Sequence, residues 1–323
     1  MTFGDASGYA GAFVVALVAS AVAAWPIYLL LLRIKSRQTV SQFLGETHQK
    51  KQGTPTMGGL IVLPGFVLVG LERSDWYMTT LYLGFAAIGF LDDFLVPRLL
   101  PGKRGLGWVP KLALEVAVVA GCLAPAGLLG RSGLVVAFVV LFCANAYNFA
   151  DGLDGLAGGL LLLLAPALLL LGADFDSTSG IAMCAALCGA VIPFLFLNCP
   201  PARLFMGDVG SLPIGAVLGM VIARLHYGWG RLQPAGTGHG RGELDLALLL
   251  LSLVLIAELV PVPLQILSVK LRKGKRLFPR TPIHHTFELW SWPESRITWT
   301  FLLAQFICSA GAICAAVFGG WLR

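Results

Sequence analysis

The chain has 323 residues, of which 57% are hydrophobic and only 12% charged, and 23 Lys and Arg against 17 Asp and Glu leave a net charge of +6. Soluble domains carry about 25% charged residues, so this composition excludes a soluble enzyme. Apolar segments of roughly bilayer length recur along the whole chain, which indicates an all-α integral membrane protein.

Ten spans are expected, at 11–34, 57–71, 77–95, 109–129, 132–150, 155–172, 178–198, 208–226, 245–270 and 297–321. No polar interval between them is long enough for a soluble domain, so residues 1–323 read as a single polytopic membrane domain. The first span is preceded only by Asp5 and followed by Arg33, Lys35 and Arg37. A signal peptide needs a basic start, so a retained helix is expected there. The second span is short, and the fourth carries Glu115. The ninth contains AELVPVPLQ, where Pro261 and Pro263 beside Glu258 should kink or break the helix.

The gaps after spans 1, 3, 5, 7 and 9, together with the span ends that border them, hold 17 of the 23 Lys and Arg. Basic residues mark cytoplasmic loops, so these gaps face the cytoplasm and both termini lie outside. The basic balance is therefore mainly a matter of topology, and no nucleic-acid partner is needed to explain it. The seven cysteines lie within or beside apolar spans with no C-x-x-C pair, as expected of packing residues.

The polar residues that composition leaves unexplained fall on that same side. In chain order they sit in HQKKQGTPTMGG (48–59), GFLDDF with Asp92 and Asp93, and NAYNFADGLDGLAGG (145–159). They continue in NCPPARLFMGDVGSL (198–212) and KLRKGKRLFPRTPIHHTFELWSWPESR (270–296). Each has a plainer structural reading. Asp208 could cap a helix, with Ser211 at its third position. Asp92 and Asp93 could be solvated at a helix exit, His284 and His285 could be a surface pair, Lys51 an anchor and Phe205 packing. The third motif resists such a reading. Asn145, Asn148, Asp151 and Asp154 step by three, so consecutive members are expected to share one helical face. At bilayer depth these groups need a wet cavity or a partner.

Five acids (92, 93, 151, 154 and 208) in one cavity would repel each other and any anionic substrate. Mg²⁺ is held by carboxylates together with substrate phosphates, while Lys51, Arg203, His284 and His285 would meet the remaining phosphate charge. Phosphoryl transfer consists largely of positioning and electrostatic stabilisation, and it calls for this combination. Zinc is disfavoured, because the polar motifs hold a single cysteine, Cys199 at a span edge, and adjacent histidines cannot readily share one ion.

GTPTMGG, DGLDGLAGG, FMGDVGSL and PIHHTFELWSWPESR, in that order and with Asp92–Asp93, closely resemble the polyprenyl-phosphate sugar-1-phosphate transferases. The TPTMGG and PIHH forms point to the phospho-N-acetylmuramoyl-pentapeptide transferase branch. The resemblance runs nearly end to end. It implies a bacterial cytoplasmic-membrane enzyme of peptidoglycan synthesis whose substrates are UDP-N-acetylmuramoyl-pentapeptide and undecaprenyl phosphate, with Mg²⁺ as cofactor and UMP as product. A homodimer is also implied. On matching positions, Asp208 would be the metal ligand and Asp92 and Asp93 would line the lipid-phosphate site. Lys51, Thr56, Asn148, Asp151, Asp154 and Asn198 would form the polar cavity. Phe205 would stack on uracil with help from Gln265, and His284 and His285 would hold the nucleotide side. The prolines of span 9 would open a lateral entry for a long prenyl chain. One departure stands out: Thr286 occupies the place of a third histidine. The alternatives are a transferase for a UDP-N-acetylhexosamine and, more distantly, a transporter or flippase, for which only Glu258 and Glu115 lie near midplane depth.

Overall fold

The computed structural model describes residues 3–34, 53–103, 105–125, 127–128, 130–172, 180–227 and 241–320. Lys51 falls outside them. Among the described residues every regular element is helical. Helix α1 spans Phe3–Arg33, and a short 3-10 turn, Gly58–Ile61, leads into α2 (Val62–Glu72). Helix α3 (Trp76–Phe90) runs through a π-helical turn, Leu91–Leu95, into α4 (Val96–Leu99). Then come α5 (Trp108–Leu123), α6 (Arg131–Ala150), α7 (Leu156–Leu171) and α8 (Ala182–Asn198). The rest are α9 (Asp208–Tyr227), α10 (Arg241–Leu259), α11 (Pro261–Leu271), α12 (His284–Leu289) and α13 (Glu294–Phe318).

Each expected span falls on one of these elements. Among the described residues, six are long and apolar enough to cross a membrane: α1, α3 with its continuation to Leu99, α6, α9, α10 with α11, and α13. The stretches 58–72, 156–171 and 182–198 are apolar but shorter. At 1.5 Å per residue, a 16-residue helix covers about 24 Å, less than the roughly 30 Å hydrocarbon core. The expected break in span 9 is present: α10 stops at Leu259 and α11 restarts at Pro261, the first helical position, where a missing N–H costs nothing.

Helix α9 is the axis of the bundle. Every residue from Val209 to Ala223 is buried, as its apolar circumference requires. Helices α3 and α6 pack on it, α1 packs on α8 and α2, and α13 bridges α10 and α7. The N-terminal end of α9 is gripped at backbone distance. A Cβ at Gly89 would lie 2.3 Å from the Asp208 carbonyl carbon, and one at Gly59 would lie 2.1 Å from Gly210 Cα. Only glycine permits that approach. The loops below are also joined: Phe205 N–H donates to Pro55 O (2.9 Å), while Gly58 and Gly59 N–H donate to Phe205 O (2.7 Å) and Met206 O (2.9 Å). Two of the sequence motifs thus become one sheet-like rim around the start of α9.

Candidate active site

Asp92 and Asp93 lie in the π-helical turn. In a regular α-helix, neighbouring side chains diverge by roughly 100°; π turns re-aim them and often occur at functional sites. Here carboxylate oxygens of Asp92, Asp93 and Asp208 all lie within 4.8 Å of one another, half-buried. Asp93 Oδ2 accepts from Val209 N–H (3.2 Å), so Asp93 satisfies a free donor of α9's first turn. Asp208 is the first residue of α9, and its own carboxylate makes other bonds. Its Oδ1 accepts from Asn148 Nδ2 (2.7 Å) and its Oδ2 from Lys111 Nζ. Lys111 Nζ also lies 3.6 Å from Asp92 Oδ2. Asp92 Oδ1 accepts from Leu106 N–H, which folds the segment before α5 against the site.

The motif at 145–159 supplies the opposite wall, though not as a single helical face. Helix α6 ends at Ala150, and Gly155 at φ 75° starts α7, so Asp151 and Asp154 stand in a tight turn. Each step of three therefore meets a different partner. Asn145 Nδ2 donates to the buried Glu115 (2.7 Å), and Asn148 reaches Asp208 and Ser211 Oγ (2.8 Å). Asp151 Oδ2 accepts from Gly207 N–H (3.1 Å), and Asp154 Oδ2 from Ala202 N–H (2.9 Å). Burial first, then the charges of Asp208 and Asp93, push the Asp151 carboxyl well above the usual carboxylate range. Asn198 accepts from Gly155 N–H (3.0 Å) and donates to Leu204 O (2.8 Å). Asp154 and Asn198 are 4% and 3% exposed and frame the two loops from behind. Thr56 comes close to the acids across Gly207, where an added Cβ would lie 2.8 Å from Thr56 Oγ1 and 2.5 Å from Asp93 Oδ2. Phe205 is half-buried beside this rim.

The histidines are placed differently from each other. His284 is 0% exposed, and its Nδ1 lies 2.9 Å from Glu258 Oε2 at the end of α10, also 0% exposed. Its Nε2 has no hydrogen-bond partner and faces the 151–155 turn: a Cβ at Gly152 would lie 2.5 Å from it. His284 therefore backs the turn and ties it to the break in span 9. His285 Nδ1 meets Glu288 Oε2 at 2.9 Å. Burial lowers the His285 pKa below its ordinary value of 6.5, against the opposing pull of the Glu288 hydrogen bond. Gln265 accepts from Leu277 and Phe278 N–H (both 2.9 Å) and donates to Phe278 O (3.0 Å), pinning the loop after α11. Thr286 donates to Arg280 O (2.8 Å) and so secures the same loop.

The structure thus gathers Asp92, Asp93, Asp208, Asn148, Asp151 and Thr56, with Asp154, Asn198 and His284 in support. Lys111 was missed in the sequence, as was the Glu258–His284 pair. The signal for Lys111 was faint: a lysine just inside an apolar span, four residues before Glu115, reads as an anchor unless the pair is taken together.

Residues 76–226 match the model of glycosyl transferase family 4, and residues 51–63 match phospho-N-acetylmuramoyl-pentapeptide-transferase signature 1. The chain is 35% identical to a phospho-N-acetylmuramoyl-pentapeptide-transferase of Heliobacterium modesticaldum, over 86% of this chain and 88% of that one. A Moorella thermoacetica protein of the same name is 34% identical over 92% and 96% of the two chains. One from Francisella tularensis subsp. novicida is 31% identical over 89% and 87%. Relatedness at this level along nearly the full length of both partners shows that the chain belongs to the phospho-N-acetylmuramoyl-pentapeptide-transferase family of bacterial membrane proteins.

Proposed function

We propose that the chain transfers phospho-N-acetylmuramoyl-pentapeptide from its UDP-linked form to undecaprenyl phosphate, releasing UMP. The observation that carries this reading is the close set of Asp92, Asp93 and Asp208 with Lys111 against two of them. The donors are all hard oxygens, half-exposed, and a cation already lies among them, which fits Mg²⁺. Asp92, Asp93 and Asp208 would hold it, and it would supply neutralisation of pyrophosphate charge.

The chain's own groups account for the remainder. A phosphate monoester has a second pKa near 6, so the lipid phosphate is mostly dianionic at pH 7 and is a competent nucleophile. Its oxygen attacks the β-phosphorus of the nucleotide, and the bond to the UMP oxygen breaks. Asp92 accepts or steers the remaining proton. Lys111 keeps Asp208 and Asp92 together and meets phosphate charge, Asn148 orients Asp208, and Phe205 offers a face for uracil. The prenyl chain reaches the site from the bilayer past the α10–α11 break. An apolar groove of ≈ 560 Å³ lined by Phe138, Phe142, Ile222, Leu248 and Ile256 ends there at Val260. In this reading the site faces the cytoplasm, both termini lie outside, and the protein works as a homodimer.

The test is UMP release by the purified chain with a prenyl phosphate and defined nucleotide sugars. Turnover with UDP-N-acetylmuramoyl-pentapeptide that chelation of Mg²⁺ abolishes, and little with UDP-N-acetylglucosamine, supports the reading. The reverse preference assigns the chain to the hexosamine substrate.

A further inference from the structure

The last turn of α11 and the loop after it carry five cations in seven residues: Lys270, Arg272, Lys273, Lys275 and Arg276. No acid occurs between Glu258 and Glu288, and Glu288 is engaged with Arg280 and His285. Among the described residues no carboxylate pairs with any of the five. Every residue from Lys270 to Leu277 is exposed.

This is a built hairpin. Arg272 N–H donates to Ser268 O (2.8 Å) and Gly274 N–H to Val269 O (2.9 Å). Ser268 Oγ donates to Lys275 O (3.0 Å), and Gln265 binds the backbone of Leu277 and Phe278 three times. The helix that bears it presents Leu264, Ile266, Leu267 and Leu271 outward, 41–72% exposed. A segment leaving the hydrocarbon for the headgroups meets its surroundings in that order, apolar stem first and cationic tip second.

We propose that the hairpin Lys270–Leu277 is a docking surface for the anionic phospholipid headgroups of the leaflet on the site-bearing side, held in its pose by Gln265. The inference rests on the reading that this face of the bundle meets the cytoplasmic leaflet. Topological preference needs only the charge count, whereas docking also needs the fold of the tip. Each basic residue held near such a surface strengthens association about fivefold. The adjoining loop carries His284 and His285, so a docked hairpin also fixes one wall of the site relative to the membrane plane.

The full chain is placed in nanodiscs of phosphatidylcholine alone, or mixed with phosphatidylglycerol, and the acetylation rates of its lysines are followed by mass spectrometry. Lys103, exposed in the predicted cytoplasmic gap after span 3, serves as the reference. The expected result is at least fivefold slower acetylation of Lys270, Lys273 and Lys275 relative to Lys103 in the anionic discs, reversed by high salt. Gln265→Ala keeps every charge and should return those rates to within twofold of the phosphatidylcholine values. Equal rates in both discs, or Lys103 slowed as much as the three, would overturn docking. Full protection in Gln265→Ala would overturn the pinned hairpin. Activity is not read, so this outcome is separate from the fate of the transferase reading.

Discussion

Lys111 is the residue on which the electrostatics of the site turn. Asp92 and Asp208 approach one another from different helices, and the ammonium between them offsets their repulsion. Truncating one member of a desolvated, hydrogen-bonded charge pair costs about 2–5 kcal/mol, so Lys111→Met should lower kcat/KM for UMP release by about thirtyfold or more while the protein still inserts. A loss below threefold would reduce Lys111 to an anchor. Gly152 makes a second residue-scale test, because an alanine methyl there has to enter the space of a fully buried His284 ring. Overpacking costs about 1–3 kcal/mol, so Gly152→Ala should lower Tm and activity together; an unchanged Tm would mean that the ring moves freely. The polar residues of the 145–159 motif were legible in the sequence because asparagine and aspartate are costly among apolar walls. The common face expected of them is absent, because α6 already ends at Ala150, ahead of Asp151 and Asp154, and no spacing rule announces that stop.

Among the elements, the start of α9 decides the site, and its neighbours are set by missing side chains. Gly89→Ala would drive a methyl to within 2.3 Å of α9 backbone, whereas a Cβ at Gly121, in α5, meets nothing within 4 Å. Gly89→Ala is therefore expected to lose most activity and to melt earlier, with Gly121→Ala close to the parent in both; similar behaviour of the two variants would contradict the packing. The break between α10 and α11 was readable because proline removes a donor wherever it stands. The π-helical turn at Leu91–Leu95 was not. Nothing in LDDFL distinguishes it from ordinary helix, and tertiary contacts with α9 and Leu106 impose it. The helix cap likewise changed hands: Asp208 has the residue type and position for the role, but Asp93 performs it from another helix.

At the scale of the molecule, apolar run length located the helices, each expected span falling on one of them, and the distribution of basic residues led to the expectation that the polar motifs share one side. This was possible because a bilayer imposes those constraints directly on sequence. How α3, α5, α6 and α9 bring their polar ends to one point depends on three-dimensional packing, and only the structure shows it. We propose that Asp92, Asp93 and Asp208, steadied by Lys111, form a magnesium-dependent phosphotransfer centre. The most direct measurement is UMP release by the purified full chain at saturating Mg²⁺ with both substrates present, comparing the parent with Asp208→Asn. Steady release by the parent is expected, with near-complete loss in a variant that retains the parent's melting profile. Release by Asp208→Asn within tenfold of the parent would contradict it.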